Sequence, residues 1–228
     1  MIIIANWKLN GSKQVIDQFS RLPSSRQIVI CPPFPYLYLV RQLPFLVGAQ
    51  DCSAFEKGAY TGEVSASMLQ EMGVSHVILG HSERRHFHKE TDEIIREKCH
   101  QVQQYGMTPI ICLGESQSVY EAGQTTQWIN HQIDAYESLK PPFIIAYEPI
   151  WSIGSGKIPS CLDISLVHQL IQKRLNSPVL YGGSVTPDTI QDLRFIIPLD
   201  GFLIGGASLI PKSLEKIGCS LGLFNSLS

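Results

Sequence analysis

Phe143-Ile-Ile-Ala-Tyr-Glu-Pro-Ile-Trp-Ser-Ile-Gly-Ser-Gly-Lys157 is the segment from which the fold and the chemistry can be inferred. Its apolar beginning predicts a buried strand that ends in the carboxylate of Glu148. Pro149 stops this strand, and the glycines at 154 and 156 predict a mobile loop. A carboxylate at a strand end followed by a hinged flap is typical of proton transfer beneath a lid. A surface glutamate before an ordinary turn would give the same local pattern, so the rest of the chain must decide.

The strand that leads to Glu148 is one of eight similar apolar runs. The runs are Ile2–Ala5, Ile28–Cys31, Phe45–Ala49, His76–Leu79, Pro109–Leu113, Phe143–Tyr147, Pro178–Tyr181 and Gly201–Ile204. Amphipathic segments, which predict helices, lie between them at Val64–Met72, Asp92–Tyr105, Gln127–Tyr136, Ser165–Leu175, Thr189–Ile196 and Ser208–Ile217. In the segment Asp92–Tyr105, one helical face is expected to hold Ile94, Ile95, Cys99 and Val102.

Continuous apolar strands that alternate with helices indicate a parallel sheet buried on both faces. Eight strand–helix units in 228 residues match the size of a closed (β/α)8 barrel. A doubly wound sheet is the alternative, but no Gly-x-Gly-x-x-Gly fingerprint follows the first strand. Because no linker or change of composition divides the chain, we expect residues 1–228 to form a single α/β barrel domain.

Composition and charge narrow the possible partners. The net charge of −2 favours neither nucleic acid nor an anionic membrane as a partner. No apolar run approaches the roughly 20 residues of a membrane span, and the short Met1–Ile4 start is not expected to be a signal peptide. The six cysteines lack Cys-x-x-Cys spacing and are expected to be free thiols, so the cytoplasm is the expected compartment. His86 and His88 are the only close histidine pair, and neither a metal nor a cofactor is expected.

Polar and glycine residues follow most of the predicted strands. In a barrel of this kind the chemistry takes place at the carboxyl ends of the strands. In strand order these residues are Asn6-Trp-Lys8, Gln50-Asp51, Gly80-His-Ser-Glu83, Gly114-Glu115, Glu148, Gly182-Gly-Ser184 and Gly205-Gly206, whereas the second strand enters the rigid turn Pro32–Pro35. A lysine, a histidine, several acids and two glycine pairs are therefore expected to meet at one rim.

The glycine pairs predict a phosphate site. Glycine lets backbone N–H groups approach an anion, and barrels bind phosphate after strands seven and eight. A tight turn is the alternative for a single pair, but here two pairs follow adjacent strands. Gly154-Ser-Gly-Lys157 resembles the end of a nucleotide-binding P-loop, but Trp151 and Ile158 stand where Gly and Ser or Thr are needed, so that motif is rejected.

The remaining rim residues suggest one type of reaction. Lys8 can attract an anion and neutralise charge in the transition state. Ser82 is predicted to cap the following turn, and His81 is predicted to be a neutral hydrogen-bond donor because it lies at a helix N-terminus. With Glu148 as base, these groups would move a proton between carbons next to a carbonyl. A structural histidine and a snorkelling surface lysine are the alternatives. A serine hydrolase is disfavoured because Gly80-His-Ser-Glu-Arg84 lacks the closing glycine of a nucleophile elbow.

Together the motifs resemble those of the triosephosphate isomerase family. The motifs are Ala5-Asn-Trp-Lys8, Ala49-Gln50, Gly58-Ala-Tyr-Thr-Gly-Glu63, Leu79-Gly-His-Ser-Glu-Arg-Arg85, Cys112-Leu-Gly-Glu115, Ala146-Tyr-Glu-Pro-Ile-Trp151, Tyr181-Gly-Gly-Ser-Val185 and Gly205-Gly-Ala-Ser-Leu209. The resemblance implies interconversion of dihydroxyacetone phosphate and D-glyceraldehyde 3-phosphate through an enediol(ate), in glycolysis and gluconeogenesis and without a cofactor. The family is a known example in which a glutamate is the base and a neutral histidine the electrophile.

The resemblance also implies a role for each matching residue. Glu148 would be the base and His81 the electrophile, and Asn6 and Lys8 would contact the substrate. The residues expected to bind phosphate are Gly154, Ser184, Gly205 and Gly206. Glu83 would lie near Lys8, with Ser82 beside it. Ile153 and Leu203 would close over Glu148 and raise its basicity by excluding water.

A homodimer is the expected assembly. The resemblance implies that Phe55–Glu63 enters the site of a second copy, with Thr61 near Lys8 of that copy. Glu63 and Arg84 would then pair across the interface. Another phosphate-binding barrel enzyme and a non-catalytic barrel remain the rival interpretations. Such a non-catalytic barrel should have lost an acid–base residue, and none is missing.

The chain departs from the family pattern at three places. The first helix must be short because few residues separate Lys8 from the second strand. Pro159 stands at the far hinge of the lid, where it fixes φ. The segment 218–228 is expected to be a C-terminal tail with no counterpart in the pattern.

Overall fold

Eight parallel strands close into a barrel in the computed structural model, which describes residues 1–224. The strands pair in sequence order and β8 pairs with β1, so the predicted (β/α)8 fold is confirmed. The strands are β1 (Ile2–Asn6), β2 (Ser25–Cys31), β3 (Phe45–Ala49), β4 (Val74–Leu79), β5 (Thr108–Leu113), β6 (Ile144–Tyr147), β7 (Val179–Gly182) and β8 (Gly201–Ile204).

Helices surround the barrel and connect successive strands. They are α1 (Lys13–Phe19), α2 (Leu37–Val40), α3 (Ala66–Glu71), α4 (Ser82–Phe87), α5 (Asp92–Gln104), α6 (Gln117–Glu121), α7 (Thr125–Asp134), α8 (Cys161–Leu175), α9 (Ile190–Leu193) and α10 (Pro211–Ser220). The pattern of apolar residues did not reveal α2, α4 and α6, because each spans only one or two turns. Within residues 1–224, none of the helices is both long and apolar enough to span a membrane.

Alternating residues of the strands fill two apolar layers. Ile4, Ile78 and Ile110 belong to a cluster inside the barrel, whereas Ile3 and Ala5 belong to the larger cluster between strands and helices. The strands are apolar on both faces because both layers are buried. The core therefore holds the strand ends, and the residues that directly follow them, in a fixed arrangement.

One predicted helical face is partly wrong. Ile95, Cys99 and Val102 of α5 are buried as expected, but Ile94 is 42% exposed. Lys98 is buried on this face instead, where its ammonium contacts Asp51 and Glu90. A charge can replace an apolar residue here because the two carboxylates compensate for the loss of water.

The ends of the chain show two local adaptations. Helix α1 has seven residues and is capped by Ser12, whose side chain accepts the N–H of Val15. Helix α10 extends to Ser220, so the expected tail begins inside a helix. Beyond it, Phe224 is buried against Gly218 and lies 6.5 Å from the ring of Phe45. Residues 225–228 of the expected tail lie outside the described part.

Replacing Phe224 with Ala should lower the free energy of unfolding by about 3 kcal/mol, because it leaves a cavity against Gly218 and Phe45. Phe195→Ala is the matched control, since that ring is 69% exposed and should change stability by less than about 0.5 kcal/mol. Urea unfolding at one protein concentration measures both variants. Equal stability of the two variants would show that the tail contributes nothing.

Candidate active site

The carboxyl ends of the strands surround one cavity of about 410 Å³, which is a typical size for a small-molecule site. Most of the residues predicted from the sequence line it together. They are Asn6, Lys8, His81, Glu148, Ile153, Gly154, Leu203, Ser184, Gly205 and Gly206. Glu83 contacts this group through Lys8, whereas Ser82 lines a neighbouring cavity. Thr61 and Glu63 are exposed on the long loop after β3.

Glu148 follows β6 and lies almost completely buried beside the cavity. Its backbone N–H donates to the carbonyl of Leu113 at 2.7 Å. A Cβ at position 114 would lie 1.8 Å from the carbonyl oxygen of Glu148, and one at position 182 would lie 2.6 Å from its Cγ. Gly182, which the sequence assigned to an anion site, is therefore required to make room for the carboxylate side chain.

His81 faces this carboxylate. Its Nε2 lies 3.5 Å from Oε1 of Glu148, and both side chains are buried. Burial opposes charge on the imidazole, but the carboxylate of Glu148 outweighs it and raises the pKa of His81. Burial likewise favours the neutral acid at position 148, but His81, Cys112 and Lys8 together lower the pKa of Glu148. Burial thus acts on the pKa of Glu148 in the expected direction, but these three neighbours outweigh it in the ligand-free site.

Helix α4 starts at His81, and this fixes the tautomer of the imidazole. The ring nitrogen Nδ1 accepts the N–H of Glu83 at 3.2 Å, so His81 is the N-cap and the prediction that Ser82 caps the helix is wrong. Only an unprotonated Nδ1 can accept this bond. The geometry thus fits a neutral ring that carries its proton on Nε2, facing Glu148.

Lys8 is held at the mouth of the cavity in a strained conformation. Its φ of 53° is left-handed, which is uncommon for a residue with a side chain and costs on the order of 1 kcal/mol. Its N–H donates to Oδ1 of Asn6, its carbonyl accepts from Gln50, and its Nζ lies 2.7 Å from Glu83. These contacts direct the ammonium toward the glycines that follow β8.

A loop that continues from Glu148 covers the cavity. Gly154 and Gly156 have φ values of 66° and 76°, which favour glycine. The N–H of Gly156 donates to Oγ of Ser184, and this hydroxyl donates to the carbonyl of Ser152. Because Ser184 follows β7, the loop is fastened across the top of the barrel.

Both ends of this loop are anchored. At the near end, the indole of Trp151 donates to Glu115 at 3.0 Å, and the hydroxyl of Tyr147 reaches the same oxygen. At the far end, Pro159 is buried and precedes Ser160, whose side chain caps α8. The residues between Trp151 and Pro159 therefore form the span that lies between the two anchors.

Two nearby residues were not singled out by the sequence. The thiol of Cys112, on β5, stands beside Glu148; its burial and this carboxylate raise the pKa of Cys112 well above its usual value. Arg85, on α4, contacts the ends of both β4 and β5. The alternation of β5 could have placed Cys112 inside the barrel, but no local pattern marks Arg85. Within residues 1–224, no group of three or more His, Cys, Asp or Glu residues is arranged to hold a metal ion.

Comparison with known proteins identifies the family. The sequence model of the family described as triosephosphate isomerase matches residues 1–220. The chain belongs to the triosephosphate isomerase family.

Curated relatives agree over nearly the whole chain. A triosephosphate isomerase from Alkalilimnicola ehrlichii is 40% identical, over 95% of this chain and 96% of that protein. Triosephosphate isomerases from Polynucleobacter necessarius and Gloeobacter violaceus are 41% and 39% identical, each over 95% of this chain and at least 96% of the relative. The family match ends at residue 220, so the segment that carries Phe224 lies beyond it.

Gly182→Ala should lower kcat by about 100-fold, because the added methyl collides with Glu148 and moves the carboxylate. Gly218→Ala is the control: its methyl would lie 2.6 Å from the ring of Phe224, which packs near Phe45 at the start of β3 and away from the cavity. That variant should lose about 2 kcal/mol of stability and keep its kcat. Isomerase assays together with urea unfolding separate the two effects. Equal losses of kcat would contradict the assignment of Gly182.

Proposed function

We propose that Glu148, His81 and Lys8 catalyse the interconversion of dihydroxyacetone phosphate and D-glyceraldehyde 3-phosphate, the reaction of the triosephosphate isomerase family. The observation that carries the proposal is the placement of a carboxylate and an imidazole 3.5 Å apart, both buried and both facing one covered cavity. Isomerisation requires a base and a hydrogen-bond donor that both reach the reacting atoms of one small substrate.

The carboxylate acts as the base. Within the described residues, Oε2 of Glu148 has no hydrogen-bond partner, so this buried oxygen is free to take a proton. It removes a proton from the substrate carbon next to the carbonyl. The lowered pKa of Glu148 keeps the carboxylate ionised before the substrate binds. Return of the proton to the neighbouring carbon moves the carbonyl by one position and regenerates the base.

His81 and Lys8 stabilise the enediolate oxygen that forms in between. The neutral imidazole donates its Nε2 proton to this oxygen, while its Nδ1 stays bonded to the N–H of Glu83. The ammonium of Lys8 supplies a positive charge next to Asn6. Glu83 keeps this ammonium in place at 2.7 Å, so little reorganisation is needed during the reaction.

Backbone N–H groups bind the phosphate. Gly205 and Gly206 leave open space at the end of β8, and a Cβ at 205 would lie 3.4 Å from Cε of Lys8. The hydroxyl of Ser184 is already hydrogen-bonded to Gly156 and Ser152 of the lid. This residue therefore binds the phosphate through its backbone. Gly154 adds its N–H from the lid. Ile153 and Leu203 cover the base and exclude water from the reactive enediolate.

Replacement of Glu148 by Gln should lower kcat by about 1,000-fold, because the amide cannot take the proton. Glu121→Gln on α6 is the matched control, since that carboxylate is exposed and does not line the cavity. A coupled assay that starts from glyceraldehyde 3-phosphate, without added metal or cofactor, measures both variants. Normal turnover by the Glu148 variant would refute the mechanism.

The functional assembly is proposed to be a homodimer. All of the segment 55–63 is exposed, and the rings of Phe55 and Tyr60 stack at 3.9 Å on its surface. Next to the candidate active site, a groove of about 710 Å³ contains Lys8, with Leu9 and Phe87 exposed by 95% and 72% at its edge. Exposed apolar surface of this kind marks an interaction site. Insertion of the loop of a second copy would bring Thr61 to Lys8.

Arg84 is already held by ion pairs within its own chain, without a second copy. Its guanidinium contacts Asp51 at 2.8 Å and Glu90 at 2.7 Å in the same chain. The proposed pair with Glu63 of a second copy would thus add a third carboxylate to an arginine that is already oriented. This makes the pair a contribution to specificity rather than to affinity.

Phe55→Asp should convert the dimer into a monomer and lower its activity, because a charge replaces the stacked ring at the loop tip. Leu166→Asp is the control, because it adds the same charge to an exposed apolar position of α8. Sedimentation and activity measured over a dilution series report both properties. Full activity of a wild-type monomer would overturn the dimer proposal.

The cellular setting follows from the family reaction, which serves glycolysis and gluconeogenesis. We propose the cytoplasm as the compartment and residues 1–228 as one domain. The free state of the six cysteines supports a reducing environment.

A further inference from the structure

Arg85 joins four elements behind the candidate active site. Its Nε donates to the carbonyl of Gly80 at 2.8 Å, and its Nη2 donates to the carbonyl of Cys112 at 3.3 Å. The other guanidinium contacts are Nη1 to Asp92 at 2.7 Å and Nη2 to Tyr136 at 3.1 Å. One side chain of α4 therefore connects the ends of β4 and β5 with α5 and with Tyr136, two residues beyond the end of α7.

The carbonyl of Gly80 belongs to the peptide group that leads into His81. Gly80 has a φ of 63°, and a Cβ there would lie 2.6 Å from Ile95 and 3.1 Å from Nη2 of Arg85. Because the peptide group is planar, fixing this carbonyl also fixes the N–H of His81. Arg85 thus determines the direction in which the backbone presents the imidazole.

The carbonyl of Cys112 lies on the opposite side of the acid–base pair. The thiol of Cys112 stands beside Glu148, and the next carbonyl, that of Leu113, accepts the N–H of Glu148 at 2.7 Å. A shift of this strand end would move the carboxylate directly. Arg85 therefore holds the backbone on both sides of the 3.5 Å separation between His81 and Glu148.

The guanidinium is itself fixed by two partners. The hydroxyl of Tyr136 donates to Asp92 at 2.7 Å, and the ring of Tyr136 is fully buried. Asp92 compensates the positive charge, so Arg85 adds little net field at the cavity. The direction of its N–H groups, rather than its charge, is what reaches the strand ends.

We propose that Arg85 is a positioning residue that sets the distance and angle between His81 and Glu148. The inference rests on the proposed roles of these two residues. A lysine cannot replace Arg85, because an ammonium lacks the planar fork that serves two carbonyls, a carboxylate and a hydroxyl at once. The arginine touches neither the cavity of the substrate nor the reacting atoms.

Arg85→Lys should lower kcat by about 100-fold and leave KM for glyceraldehyde 3-phosphate nearly unchanged, because the phosphate site lies at other strand ends. In this variant the carboxylate of Glu148 should also lie farther from His81, so the imidazole should lower the pKa of Glu148 less than in the wild type. The acid limb of the kcat/KM profile should therefore move to higher pH than in the wild type. Arg174→Lys is the control, since that guanidinium contacts Asp134 and Glu137 between α7 and α8. It should keep both kcat and the pH profile.

Arg85→Ala allows a rescue experiment. A cavity of about 410 Å³ that includes Gly80, Asp92, Trp128 and Ile150 among its walls reaches the side chain of Arg85 from the surface. Added methylguanidinium should enter it and restore part of the lost kcat, whereas methylammonium should not. Arg174→Ala should show no response to either cation.

Two outcomes would overturn the inference. One is an Arg85→Lys enzyme whose kcat stays within about threefold of wild type, a change too small for a displaced acid–base pair. The other is a loss of activity that only follows the folded fraction, with an unchanged pH profile and no rescue. Normal turnover by Glu148→Gln would instead refute the proposed function, whatever Arg85 does.

Discussion

The pairing of β1 with β8 closes the sheet, and the candidate active site depends on this closure. Ile2–Ala5 lie in register with Gly201–Ile204, and a Cβ at position 201 would lie 2.0 Å from the carbonyl of Ile2. Only a closed sheet brings residues from both ends of the chain together, so that Lys8 meets Gly205 at the rim. Closure thus brings Lys8, Glu148 and the glycines of the proposed phosphate site together on one rigid support.

Several energetically unfavourable features lie at that rim. Lys8 has a left-handed backbone, and Glu148 and His81 are almost completely buried titratable groups. Such features persist only where the surrounding structure determines them fully. Here the support comes from the layers of apolar strand residues and from polar contacts such as those of Arg85 and Glu115. The packing of the barrel wall therefore stabilises the fold enough to tolerate the strained backbone of Lys8 and the burial of Glu148 and His81.

The small size of the chain is accommodated away from the site. Helix α1 has seven residues, only residues 176–178 connect α8 to β7, and Phe224 packs behind α10 against Phe45. These changes affect the helical layer and the amino-terminal end of the barrel. The rim does not depend on these features, because the strands, rather than the helices, determine where the side chains of the candidate active site project.

The sequence alone determined the eight strands and the residues at their ends, because strand periodicity, glycine and proline act locally. Only the tertiary structure showed that Gly182 makes room for Glu148, that His81 caps α4, and that Ile94 is exposed. It also revealed the contacts of Arg85 with two strand ends. These facts depend on the register of neighbouring strands and on the rotation of helices against the barrel. Such relations join residues far apart in the chain, and no local pattern contains them.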